Sequence, residues 1–138
     1  MRKRRLSREY TLKILYQIDI THDEPEAVLK SFWQGQGDVA VDEDVRQFSE
    51  SLVRGVCGSL SDIDKKISNY ATNWQLKRIA VIERNILRIA GFELLYLNDI
   101  PPKVSINEAV ELAKKYSGQE AAKFVNGVLD KIKTESNK

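Results

Sequence analysis

Between Leu76 and Leu97 the chain places apolar side chains at most positions, among them Ile79, Val81, Ile82, Ile86, Leu87, Ile89, Ala90, Phe92, Leu94 and Leu95. Nowhere in the chain does clean period-two alternation persist over four residues, so this segment reads as a helix. A helix that is apolar on most sides has to be surrounded by others, which puts it at the centre of a bundle. Its few polar positions, Glu83, Arg84, Asn85, Arg88 and Glu93, are then expected on the narrow faces it shows to solvent or to a partner.

The other segments repeat helical spacing, and the fold class is read as all-α. Ser7 is a candidate N-cap for a first helix to about Ile20, with Leu12, Leu15, Tyr16 and Ile18 as its buried stripe. Thr21 and Glu24 resemble a capping box for a second helix carrying Val28, Leu29, Phe32 and Trp33 and ending near Gly35. The stretch 35–44 reads as a mobile loop whose acids Asp42, Glu43 and Asp44 lead into a third helix with Val45, Phe48, Leu52, Val53 and Val56. Gly55, Gly58 and Ser59 break or bend that pattern before Ile63, Ile67 and Tyr70 continue it to about residue 71. Pro101 and Pro102 stop the central helix, and Ser105 with Glu108 forms a capping box for the next. Ser117 and Gly118 precede a last helix with Ala121, Phe124, Val125, Val128 and Ile132, followed by a frayed tail from 134 to 138.

At 138 residues the chain is expected to form one folded unit, and a large multidomain enzyme is excluded. The net charge of +2 hides an asymmetry: Arg2, Lys3, Arg4, Arg5 and Arg8 stand among the first eight residues with no acid, leaving a net −3 on the rest. Asp19 to Asp44 is acid-rich, with Lys30 as the lone base, and is expected to stay away from polyanions. A single cysteine, Cys57, forms no internal disulfide, and a single histidine, His22, builds no zinc site without further strong ligands, so a reducing cytoplasm is expected and no metal or cofactor. Charged residues interrupt the start of the chain as a signal peptide, and no segment has the apolar length of a membrane span. Gly35-Gln36-Gly37 lacks the rest of a phosphate loop, and no nucleophile and base are joined by an orienting group.

Three blocks resemble the NusB family of bacterial transcription antitermination factors: Arg4-Arg5-Leu6-Ser7-Arg8-Glu9 leading to Ile14-Leu15-Tyr16; Glu83 through Leu94, with Arg88-Ile89-Ala90-Gly91 inside it; and Pro101 through Asp130, with Ser105-Ile106-Asn107-Glu108-Ala109 and Lys123-Phe124-Val125-Asn126-Gly127. The resemblance implies six to seven helices in two small subdomains, about 1–72 and 73–138, with a basic N-terminal arm, 1–8. It implies a non-enzymatic adaptor that joins NusE, a small-subunit ribosomal protein, and holds single-stranded boxA RNA of nascent transcripts. RNA polymerase in the resulting antitermination complex then reads through terminators, notably in ribosomal-RNA operons. A related domain precedes some ribosomal-RNA cytosine methyltransferases, and the length of this chain favours the stand-alone factor.

The basic residues Arg2, Lys3, Arg4, Arg5 and Arg8 are candidate RNA ligands, since phosphate neutralisation supplies most non-specific affinity; a solvated terminus is the alternative. Arg84 and Arg88 stand four residues apart and share a face that would extend a phosphate track, or form ion pairs with Glu93 or another acid. Tyr116 and Phe124 flank the 117–120 turn and can stack on splayed bases or belong to the core. By resemblance this turn borders the RNA site, with Glu120 where the family often has Asp and with Lys123 close by; the resemblance also favours Arg88 over Arg84. Tyr16 and Glu83 match positions the family uses for NusE. The faces that receive NusE would equally serve a homodimer in its absence.

Overall fold

The computed structural model describes residues 2–37, 40–71 and 78–136. Among them the regular elements are helices alone: α1 (Arg2–Thr21), α2 (Pro25–Gly35), α3 (Glu43–Gly58), α4 (Leu60–Tyr70), α5 (Val81–Tyr96), α6 (Pro102–Tyr116) and α7 (Gln119–Ser136). The chain divides into two units at Gly58 and Ser59. The boundary expected near residue 72 moves because α4 packs on α5 and α7.

In the first unit α1 packs on α2 and α3. Leu12, Ile14 and Leu15 meet Val28, Leu29, Val45, Leu52, Val53 and Val56 in its core, and Tyr10, Phe32 and Trp33 interlock edge to face with ring centroids 5.0–5.7 Å apart. Small hydroxyl residues seal the start of α1 against α3. Ser7 Oγ donates to the Val45 carbonyl at 2.8 Å, and Thr11 Oγ1 lies 2.9 Å from Ser49 Oγ, all three residues fully buried. Ser7 is therefore not an N-cap: the helix starts at Arg2, and the hydroxyl satisfies a carbonyl of the neighbouring helix instead. Likewise Thr21 does not open α2, whose N-cap is Glu24 with Pro25 at the first turn; its hydroxyl donates to the Gln17 carbonyl and accepts the Asp23 amide. Asp42 caps α3, its Oδ1 accepting the Asp44 amide at 2.8 Å.

In the second unit α5 lies against α4, α6 and α7 and carries the core side chains Ile86, Leu87, Ile89 and Leu94, each at most 2% exposed. Its polar residues do not all face outward as expected. Asn85, Arg88 and Glu93 are buried, each beside a polar group from another residue. Arg88 Nε and Nη2 donate to the two Asp64 oxygens at 2.8 and 2.9 Å, Arg88 Nη1 donates to Asn85 Oδ1 at 3.1 Å, and Ser105 Oγ donates to Glu93 Oε1 at 2.7 Å. This bond corrects the start of α6 as well. The helix begins at Pro102, where the fixed φ suits the first turn and the missing N–H costs no hydrogen bond, and Ser105 sits inside it facing α5. The expected fraying does not begin at 134: α7 runs to Ser136, and Glu135 accepts hydrogen bonds from Lys66 and Tyr70 of α4. Residues 137–138, the rest of the expected tail, lie outside the described residues, as do 76 and 77 at the expected start of the central helix.

Candidate nucleic-acid interface

The basic arm is the first two turns of α1. Lys3, Arg4 and Arg5 are exposed there, whereas Arg8 is 4% exposed; the side chain of Arg2 lies outside the described residues. Arg4 and Arg8 stand four residues apart on one side of the helix, so the split follows position along α1: residues 3–6 are exposed, and burial begins at Ser7, which bonds to α3. The Arg4 Cζ lies over the Phe48 ring, 4.0 Å from its centroid, and the Arg8 Cζ lies 5.6 Å from the same centroid.

The acidic segment reaches this basic end. Lys3 Nζ is 3.1 Å from Asp42 and 3.5 Å from Asp44. Its hydrogen bond to Asp42 raises the Lys3 pKa above the ordinary lysine value, and the same bond holds the Asp42 carboxyl below the ordinary aspartate value. Opposite charges distant in sequence are brought together by the α1–α3 packing, which the composition of either segment alone does not reveal. Both partners are solvent-exposed, so the contact is weak and screened by salt.

In the second unit a cleft of about 420 Å³ opens between the start of α5 and the turn from α6 into α7. Glu83, Glu120 and Phe124 line it together with Ile79, Ala121 and Arg78. Gly118, at φ +98°, makes the turn, and its amide closes α6 by donating to the Ala113 carbonyl at 2.9 Å. Lys123 is exposed and 3.8 Å from Glu120, and Lys115 Nζ lies 5.5 Å from the centre of the Tyr116 ring. Tyr116 is 37% exposed and Phe124 half-buried, so neither is a closed core residue. Among the described residues no group of His, Cys, Asp and Glu could hold a metal ion.

Residues 5–134 match the sequence model of the NusB family. The chain belongs to the NusB family. It is thereby a transcription antitermination factor. A transcription antitermination protein NusB from Bacillus licheniformis is 43% identical over 133 residues, which cover 96% of this chain and 98% of that protein. The NusB protein of Chloroherpeton thalassium is 42% identical over 127 residues; the match covers 92% of this chain and spans only 59% of that longer relative. In three dimensions the chain is similar to a crystal structure of antitermination factors NusB and NusE in complex with dsRNA, with a TM-score of 0.87, 29% identity, and 98% of each chain covered.

Of the residues singled out in the NusB-like blocks, the fold brings Glu83, Glu120 and Phe124 to one cleft, with Lys123 paired to Glu120 beside it. Tyr16 is 41% exposed on α1, and the exposed Ile20 four residues on shares its face. Arg88 is separated from the cleft residues by its burial: its guanidinium is held by Asp64 and Asn85, so the solvent-facing phosphate track expected with Arg84 does not form. The sequence reading missed Arg78 and Phe48. Arg78 precedes α5 with no periodic partner, and Phe48 stands three residues after the buried Val45, a spacing that reads as core although the ring is only partly covered.

Proposed function

We propose that the protein is a non-enzymatic adaptor of the cytoplasm that pairs with NusE and binds single-stranded boxA RNA of nascent transcripts, notably from ribosomal-RNA operons. The observation that carries this reading is the exposed, helix-ordered cluster of Lys3, Arg4 and Arg5, in a chain of the family that appears with NusE and dsRNA in the related crystal structure. In this reading the α1 cations hold phosphates. In the second unit Phe124 and Tyr116 stack with unpaired bases, Lys123 meets phosphate, and Glu120 contacts the strand from the cleft rim. Tyr16 and Glu83 serve NusE: an exposed aromatic with a polar tip and a carboxylate suit a basic ribosomal protein. Arg2 belongs to the same cationic end. Arg8 and Arg88 serve the fold and do not themselves touch RNA, Arg8 standing near the Phe48 ring and Arg88 tying α5 to α4.

Assembly is the mechanism. Tethering RNA and NusE to one body raises their effective concentration for the polymerase complex, so modest separate affinities suffice. Three phosphate contacts from Lys3, Arg4 and Arg5 give log K a slope of about −2.1 against log salt for a single strand, or roughly an 18-fold loss from 50 to 200 mM.

The test is fluorescence anisotropy of labelled single-stranded boxA RNA, a scrambled strand and a boxA duplex, each titrated with the protein in the presence and absence of NusE. Preference for the boxA strand, tightened by NusE, is the expected result. Equal weak binding of boxA and scrambled strands with no effect of NusE refutes the reading, and preference for the duplex refutes its single-strand part.

A further inference from the structure

We propose that Phe48 and Arg4 together form a stacking platform for one unpaired nucleobase, a role that rests on the RNA-binding reading above and adds a residue of α3 to it. The Arg4 guanidinium lies over the Phe48 ring at 4.0 Å from Cζ to centroid, which is contact distance. Among the described residues Arg4 takes part in no ion pair; the aromatic ring, not a carboxylate, holds its planar group in place. A guanidinium plane has two faces and an N–H edge. With one face on Phe48, the other can stack on a base while the edge donates to a phosphate oxygen.

The surroundings suit such an occupant. A cavity of about 550 Å³ opens between the starts of α1 and α3, lined by Lys3, Arg4, Ser7, Asp44, Gln47 and Phe48. Lys3 stands at its rim as a second cation, with only the exposed Asp42 and Asp44 to displace. Arg4 is a flexible side chain, and ordering it costs rotamer entropy that a ligand would otherwise have to offset; the ring has already restricted it. Phe48 is thus a positioning residue and Arg4 the group that touches the base. A base-paired duplex has no free base face to offer, so the platform distinguishes single strands from duplexes.

Phe48→Leu and Arg4→Lys test the platform in the full-length protein, since both keep net charge and approximate volume while removing one half of the stack. The probes are labelled single-stranded boxA RNA, the same strand with abasic sites, and a boxA duplex. Each variant is expected to weaken single-strand binding about tenfold, the size of one lost stacking contact, and the double variant to be little worse than either. The salt slope should stay unchanged because no phosphate contact is removed, and the abasic strand and duplex should bind all proteins alike. Thermal melting checks the fold, and the exposed Arg4→Lys alone decides the matter if Phe48→Leu melts early. Wild-type binding that both variants reproduce within about twofold, or an equal loss on the abasic strand, overturns the platform. A wild-type protein that binds none of the probes instead overturns the RNA-binding reading itself.

Discussion

Replacing Asp64 by Ala removes the two hydrogen bonds, 2.8 and 2.9 Å, that hold the Arg88 guanidinium between α4 and α5. Removing one partner of a fully buried pair costs about 3–5 kcal/mol, because the remaining charge is left in a poorly solvating interior. Here the Arg88 side chain is 9% exposed and that of Asp64 20%, and Asn85 still accepts one N–H at 3.1 Å. Water can therefore recover part of the loss, and about 2–3 kcal/mol is expected. For a chain of 138 residues, each kcal/mol lowers the melting temperature by roughly 3–4 °C, so calorimetry should show a drop of about 6–12 °C. Adding Arg88→Met to Asp64→Ala should recover most of this, since an apolar chain of similar length leaves no orphaned charge. Binding of boxA RNA well below the transition should match wild type, because neither residue is an exposed phosphate ligand. A melting shift under about 2 °C for Asp64→Ala would refute the energetic argument. RNA binding lost by the stable double variant would refute the structural assignment of Arg88.

The contact between α7 and α4 should be sensitive to pH. Hydrogen bonds from Lys66 and then Tyr70 hold the Glu135 carboxyl below the ordinary glutamate value, while the bond to Glu135 raises Lys66 and Tyr70. A lowered carboxylate contributes stability above its unfolded pKa, about 4.3, and loses it as pH falls through the folded value; the raised lysine contributes below about 10.4 and loses it as pH rises further. The clip is therefore complete between about pH 4.5 and 10, and NMR shifts of residues 130–135 should move together below that window in wild type but not in Glu135→Gln. Persistence of the acidic transition in Glu135→Gln would assign it to another group. Gly118→Ala should cost about 1–2 kcal/mol in urea unfolding, because φ is +98° while an added Cβ would meet nothing within 4 Å; an unchanged midpoint would show that the turn relaxes freely.

How much could be read beforehand differs from residue to residue. The stripes Val28–Leu29–Phe32–Trp33 and Ala121–Phe124–Val125–Val128–Ile132 follow from spacing alone, and all of these residues except the half-buried Phe124 are buried as read. Capping was less legible. Ser105 with Glu108, and Ser7 ahead of an apolar run, have the residue types of helix starts, yet both serines lie inside helices and bond to other helices, to Glu93 and Val45. A hydroxyl can satisfy a local amide or a distant acceptor, and only packing selects between them. In the candidate site, the positive charge at the start of α1 was visible, but its closeness to Asp42 and Asp44 and its contact with Phe48 were not. The same holds for the cleft that gathers Glu83, Glu120 and Phe124 from separate helices.

The sequence by itself determined that the chain is helical, where its apolar stripes run, that its basic charge is concentrated at one end, and which family it resembles. Those properties depend on residues within a few positions of one another or on strings of residue types. Tertiary structure alone decided which charged groups are exposed: Arg4 and Arg88 have the same side chain, yet one lies over a ring at the surface and the other is buried against Asp64, 24 residues away. Burial and pairing are set by whatever the fold brings to within a few ångströms, and in a helical bundle those neighbours come from helices distant in sequence.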